Sequence, residues 1–196
     1  MKRILTLTFV LCLAFALTAC SNQTKQEASI GGPDSKILVA FFSCTGNTKK
    51  VAEEIAANLS AELFEIVPEE PYADEDLDAN DESSRAMIEQ HNEGRPAFVG
   101  SVEQMEDYDI VFLGYPIWWG DAPKIMCTFL ESYDFAGKTI IPFCTSHSTG
   151  LGSSATDMHQ LAANARWLEG TRFPSNAARR VVTEWIDELN IYVPAP

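Results

Sequence analysis

Three continuous apolar runs constrain the fold of this chain more than any other feature: KILVAFFS at 36–43, YDIVFLGYP at 108–116 and KTIIPFCT at 138–145. A strand with one wet face alternates apolar and polar residues, whereas a run without polar breaks is a strand covered on both faces. Segments with helical spacing separate these runs. After the first, NTKKVAEEIAANLSA puts Val51, Ile55 and Leu59 on one side with Ala52 and Ala56 beside them. APKIMCTFLESY (122–133) groups Ile125, Met126, Phe129 and Leu130 behind a proline suited to a first helical turn. Further helices are expected over 83–92, over 153–164 and over 176–190, the last with Val181, Val182, Trp185, Ile186 and Leu189 as its inner face. AELFEIVP (61–68) reads as a strand nearer an edge, ended by Pro68, and ARWLEGTRF (165–173) as a fifth strand. Five strands alternating with helices predict an α/β three-layer sandwich, a parallel sheet with helices on both faces. Such sheets bind ligands beyond the carboxyl ends of their strands, so the loops after the first, third and fourth strands are where function is expected.

At 196 residues the chain holds one well-cored domain, expected at 36–190. Residues 1–20 have a basic start, an apolar stretch from Ile4 to Leu17 and small residues before a cysteine, the pattern of a secretory signal. Leu17-Thr18-Ala19-Cys20 resembles the bacterial lipobox, which implies export, lipidation of Cys20 and anchoring at the outer face of the cell membrane. Residues 21–35 are polar, contain Gly and Pro, and read as a flexible tether. The formal charge is −14, from 14 basic and 28 acidic residues, and loss of Lys2 and Arg3 with the leader makes it −16. That excess repels phosphate backbones and anionic lipid heads, which argues against a nucleic-acid partner and leaves the lipid as the membrane contact. It favours a partner with a basic face. Many acids lie in PEEPYADEDLDANDES (68–83), which reads as a solvated loop and helix start. Outside the leader and Cys20, Cys44, Cys127 and Cys144 form no metal spacing and are expected as free thiols, since strand ends two places apart are about 9.6 Å distant.

The three loops share one chemistry. In the first, Ser43, Cys44, Thr45, Gly46, Asn47 and Thr48 pass from a buried strand to a helix start, where unpaired N–H groups and the positive end of the dipole await an anion. No basic side chain stands inside the six, and Lys49 and Lys50 are expected to point outward. A plainer account makes one of Thr45, Asn47 or Thr48 a helix N-cap, yet one cap needs one such residue. The second loop carries Tyr115, Pro116, Ile117, Trp118, Trp119 and Gly120, and two adjacent tryptophans expose much apolar surface unless they cover something flat. In the third, Thr145, Ser146 and His147 lead to Gly150 and Gly152, supplying donors, acceptors and room for close backbone approach. His147 brings a candidate acid–base group, although a lone loop histidine is more often a hydrogen-bonding surface residue.

Phosphate donors at one end, aromatics at the other and a donor-rich backbone along a third side suit a flat heteroaromatic ring on a phosphorylated tail. Over 36–190 the chain resembles the flavodoxin family, because Ser43-Cys44-Thr45-Gly46-Asn47-Thr48 looks like that family's T/S-x-T-G-x-T phosphate loop. The resemblance implies strand order 2-1-3-4-5, FMN as cofactor, and Tyr115 to Gly120 with Thr145 to Gly152 flanking the isoalloxazine ring. It implies an electron carrier or a small FMN-dependent oxidoreductase, working with a basic redox partner or a small electron acceptor. The third loop lacks the aromatic that many flavodoxins stack on the ring. Two rivals remain. Cys44 after the first strand also resembles the small tyrosine phosphatases, but their C-x5-R would need arginine where Lys50 stands, and lysine lacks the bidentate fork. The other rival is an exported binding module with no cofactor. The ATP-binding P-loop is excluded, since GxxxxGK[ST] is absent.

Overall fold

The computed structural model describes residues 29–192. The proposed signal at 1–20, the lipidation site Cys20 and the tether as far as residue 28 lie outside the described residues. Among the described residues eight strands and five α-helices follow one another: β1 (Lys36–Phe41), α1 (Asn47–Leu59), β2 (Glu62–Glu65), β3 (Val67–Pro68), α2 (Arg85–His91), β4 (Phe98–Val99), β5 (Tyr108–Pro116), α3 (Ile125–Glu131), β6 (Thr139–Thr145), α4 (Ser154–Met158), β7 (Arg166–Trp167), β8 (Thr171–Phe173) and α5 (Arg179–Glu188).

The main sheet runs β2-β1-β5-β6-β7, all parallel, with β8 also on β6. Set the short β3–β4 pair aside and treat β7 and β8 as one edge strand, and this is the expected order 2-1-3-4-5. The three apolar runs are its centre. Because side chains alternate faces along a strand, each run feeds both layers. Leu38, Ala40, Val111, Leu113, Ile140 and Cys144 pack toward α3, while Ile37, Val39, Ile110, Phe112, Ile141 and Phe143 pack toward α1 and α5.

Departures from the sequence reading have local causes. The segment 61–68 is no single strand: Ile66 turns into the core, and Val67–Pro68 pair antiparallel with Phe98–Val99. The edge strand breaks at 168–170 opposite Pro142, which has no N–H to give a ladder. Gly170 lies so close there that a Cβ would stand 2.1 Å from the Pro142 carbonyl oxygen. The helix expected over 153–164 is α4 followed by a 3₁₀ turn at His159–Ala162, whose last carbonyl accepts the Trp167 indole N–H at 3.1 Å. Along α5 and its C-cap the residues Val182, Trp185, Ile186 and Leu189 face the sheet at i, i+3, i+4, i+7, so Val181 falls outside the stripe and is 40% exposed. The segment expected to be tether through residue 35 is docked from Ile30 onward, where its N–H meets Asn190 O and its carbonyl accepts Tyr192 N–H, both at 2.9 Å.

Candidate functional site

The carboxyl ends of β1, β5 and β6 lie side by side, and their loops meet there. In the first loop Gly46 is the N-cap of α1 at φ 79°, a left-handed conformation that glycine adopts freely. No side chain caps the helix. The first intrahelical bond to close on the cap is Lys50 N–H to Gly46 O at 3.2 Å, so the N–H groups of Asn47, Thr48 and Lys49 keep no protein acceptor among the described residues. The capping account therefore fails, and the donors of the first turn are left for something else. Ser43 Oγ is buried and has no hydrogen-bond partner among the described residues. A buried hydroxyl in that state costs about 1–3 kcal/mol unless a ligand takes it up. Thr45 Oγ1 accepts from Asn47 Nδ2 at 3.1 Å on the exposed side, and Thr48 Oγ1 bonds to Thr145 Oγ1 below. Lys49 is directed to Glu65 at 2.7 Å and Lys50 is exposed, as expected of residues that leave the cradle uncharged.

Cys44 opens onto solvent at the lip of the cradle, with protein crowding its other sides. That crowding pushes its thiol up to about 12, a trend Arg85 opposes and Glu89 reinforces. A nucleophilic cysteine needs the reverse. Cys127 and Cys144 are free and buried. No group of His, Cys, Asp and Glu among the described residues is arranged to hold a metal ion.

In the second loop the two tryptophans separate. Trp118 is half-buried, its ring edge-on to Phe42 at 5.5 Å and to Tyr72 at 5.4 Å. Trp119 is 43% exposed at the tip of a tight turn, closed by reciprocal backbone bonds of 2.9 Å between Trp118 and Asp121. Trp119 (φ 50°) and Gly120 (φ 86°) both take positive φ, the requirement of the primed turns. Pro116 and Ile117 are half-buried at the strand end, where Ile117 N–H donates to Thr145 O at 3.0 Å and ties the second loop to the third. Tyr115 lies beneath the site. Its side chain is fully buried in the core, its hydroxyl 3.0 Å from Ser154 Oγ, so a place for that ring beside a cofactor, implied by the family resemblance, does not fit.

The third loop leaves β6 at Thr145, which is 5% exposed. Ser146 Oγ accepts Thr149 N–H at 2.9 Å, and Ser146, His147 and Gly150 line the open side. Gly152 takes φ 53° just before α4. Arg172 on β8 donates to the carbonyls of Ser146 and His147.

Sequence reasoning missed one layer of this site. The acidic stretch is organised: Tyr72 packs on Phe42 and Trp118, its hydroxyl bonds to Glu89, and the Arg85 guanidinium sits 4.3 Å over its ring. Gln90 on α2 donates to Ala122 O at 3.1 Å and accepts Lys124 N–H at 3.2 Å, holding the far end of the tryptophan loop. Tyr72 was the lone aromatic in that acidic run, and that was the available signal.

Known proteins match this chain in sequence and fold. A flavodoxin family model matches residues 36–189. A provisionally named flavoprotein from Bacteroides eggerthii is 39% identical, with 81% of this chain and 99% of that one covered and a TM-score of 0.75. A second, from Bacteroides uniformis, is 38% identical over 78% of this chain and 98% of its own, again with a TM-score of 0.75. A flavoprotein from Lactobacillus acidophilus, solved in complex with FMN, shares the fold at 23% identity and a TM-score of 0.61, over 79% of this chain and 98% of its own. No curated protein matches the chain.

Proposed function

The chain belongs to the flavodoxin family, and on that premise we propose that it binds FMN and serves as an electron carrier, tethered through Cys20 outside the cytoplasmic membrane. The observation that carries the proposal is the buried, unpartnered Ser43 hydroxyl beside the uncapped start of α1. A phosphate dianion fits there. Ser43, Thr45 and Thr48 with the first-turn N–H groups would hold it without a basic side chain, each dipole-type contact supplying roughly 0.3–1 kcal/mol and more where buried. Bound FMN supplies the redox chemistry, accepting and releasing electrons at its ring. The protein's share is binding, orientation and electrostatics. Trp119, exposed and held at the loop tip, is the side chain available to cover a ring face, while Trp118 braces it against Phe42 and Tyr72. The backbone of Thr145 to Gly152 would border the ring's edge.

The acidic surface sets two further expectations. A net charge of −14 disfavours adding an electron to a ring that becomes anionic, so the second one-electron potential should be low. The same field favours a redox partner with a basic face, bound less tightly as salt rises. Among the described residues no helix is long and apolar enough to cross a membrane; the lipid on Cys20 would be the anchor. Export through a leader with no twin-arginine pair means that FMN is acquired outside. The phosphatase alternative is weak, for the Cys44 thiol is pushed up and Lys50 points to solvent.

One absorption spectrum of the full chain, purified in mild detergent and stripped of ligand, tests the reading before and after FMN is added. Flavin bands that shift and fluorescence that is quenched at stoichiometric FMN support it; unperturbed free-flavin signals overturn it. Stopped-flow mixing with NADPH then separates carrier from reductase, since a carrier stays oxidised without its partner protein.

A further inference from the structure

Arg172 stands out because it has no carboxylate. In a chain with 28 acidic residues, its guanidinium makes no ion pair among the described residues. It instead donates to two successive backbone carbonyls of the third loop, Ser146 O at 3.0 Å and His147 O at 3.4 Å. It is half-buried on β8, where it is the register partner of Cys144.

The direction of those carbonyls follows from the ladder. Thr145 O accepts Ile117 N–H on the β5 side, and Ser146 N–H donates to Phe173 O on the β8 side. The next peptide is reversed: Ser146 O is drawn to Arg172 on the β8 side. No peptide bond among the described residues is cis, so the His147 N–H points the opposite way, away from Arg172. His147 O is drawn the same way, and Ser148 N–H follows. Neither N–H has a protein acceptor among the described residues. Successive N–H groups turned to one side form a concavity that favours negative charge. A guanidinium behind the carbonyls polarises both peptides in the same sense.

Resting on the flavin reading above, we infer that Arg172 is a positioning residue, which turns these two peptides so that the His147 and Ser148 N–H groups face the electron-rich edge of the flavin ring and whose unpaired charge favours the reduced, anionic ring. It works against the acidic surface at short range. Its loss should therefore weaken binding of reduced FMN more than binding of oxidised FMN. A residue that merely fixed the loop would alter both alike.

The test uses the full chain in detergent, with Arg172→Met, Arg172→Gln and Arg172→Lys beside the unsubstituted protein. FMN affinity is read from flavin fluorescence, and the two one-electron potentials from titration with dithionite, which supplies the electrons. For Arg172→Met we expect reduced FMN to lose about tenfold more affinity than oxidised FMN, equal to a fall of about 30 mV in the two-electron midpoint, or about 59 mV in a one-electron potential that takes the whole loss. Arg172→Gln keeps a donor without charge and should show the same fall, whereas Arg172→Lys keeps the charge and should restore most of it. Should Met unfold the loop, the Gln and Lys pair still decides. Unsubstituted protein that binds FMN, with potentials unchanged in Arg172→Gln, overturns the inference and leaves the flavin reading standing. Unsubstituted protein that binds no FMN overturns the flavin reading itself.

Discussion

Thr48 and Thr145, separated by 97 positions in the chain, share a buried hydroxyl–hydroxyl hydrogen bond of 2.8 Å. It joins the first turn of α1 to the end of β6, and so fixes the loop at 43–48 against the third loop. Each hydroxyl is the other's partner, which makes the energetics asymmetric. Thr48→Val or Thr145→Val alone strands one buried hydroxyl and should cost about 1–3 kcal/mol. The double variant removes both and should be close to neutral. Urea unfolding of the ligand-free protein in a double-mutant cycle measures this, and additive losses would show that the bond is not what holds the two loops.

The adjacent tryptophans should respond in opposite senses. Trp118 is braced by Phe42 and Tyr72, so Trp118→Ala should destabilise by about 2 kcal/mol, below the range for a fully buried aromatic. Trp119 holds a φ of 50° that bulky residues seldom adopt. Trp119→Asn, which tolerates that conformation, should stabilise the ligand-free protein by about 1 kcal/mol while weakening FMN binding. A Trp119→Asn protein that binds FMN undiminished would remove this ring from the site.

What the sequence could tell divides along the range of the interactions. The central strands were legible since burial on both faces writes itself into every residue of a run such as Ile110 to Leu113. The uncapped start of α1 was legible because the small polar residues Ser43 to Thr48 are contiguous in the chain. The β3–β4 pair was not, for Val67–Pro68 finds Phe98–Val99 across thirty residues of polar chain and carries no periodic signal. Tyr72 over Phe42 and Arg85 over Tyr72 are likewise products of tertiary placement. Tyr115 was legible and misjudged: it shares the parity of Val111 and Leu113, so the alternation of the strand already directed it into the core.

Stability should fall at alkaline pH. Burial pushes the Cys144 thiol up to about 12 from an ordinary value of 9.0, Arg172 opposing slightly. Between those values the unfolded chain gives up its proton and the folded one keeps it, so the unfolded state gains. The stabilisation is whole below pH 9 and is lost as pH rises toward 12, at no more than about 1.4 kcal/mol per pH unit for one group. Tyr108, also pushed up to about 12, adds to the slope. Cys144→Ala should flatten the dependence of urea midpoints on pH above 9 while lowering them by a constant amount for the cavity. An unchanged slope would place the alkaline sensitivity elsewhere.

Ser43 sets stability and binding against each other. Its buried hydroxyl has no partner among the described residues, so Ser43→Ala should stabilise the ligand-free chain by about 1 kcal/mol. The same change removes a donor to a phosphate dianion, a charge-assisted bond of about 1.5–3 kcal/mol, and should weaken FMN by at least roughly tenfold. Riboflavin, which has the ring and no phosphate, should bind the variant and the unsubstituted protein alike. Calorimetry with both ligands, paired with urea unfolding of the empty protein, reads all three quantities. A variant that loses stability, or that weakens riboflavin as much as FMN, would mean that Ser43 supports the loop and does not hold the phosphate.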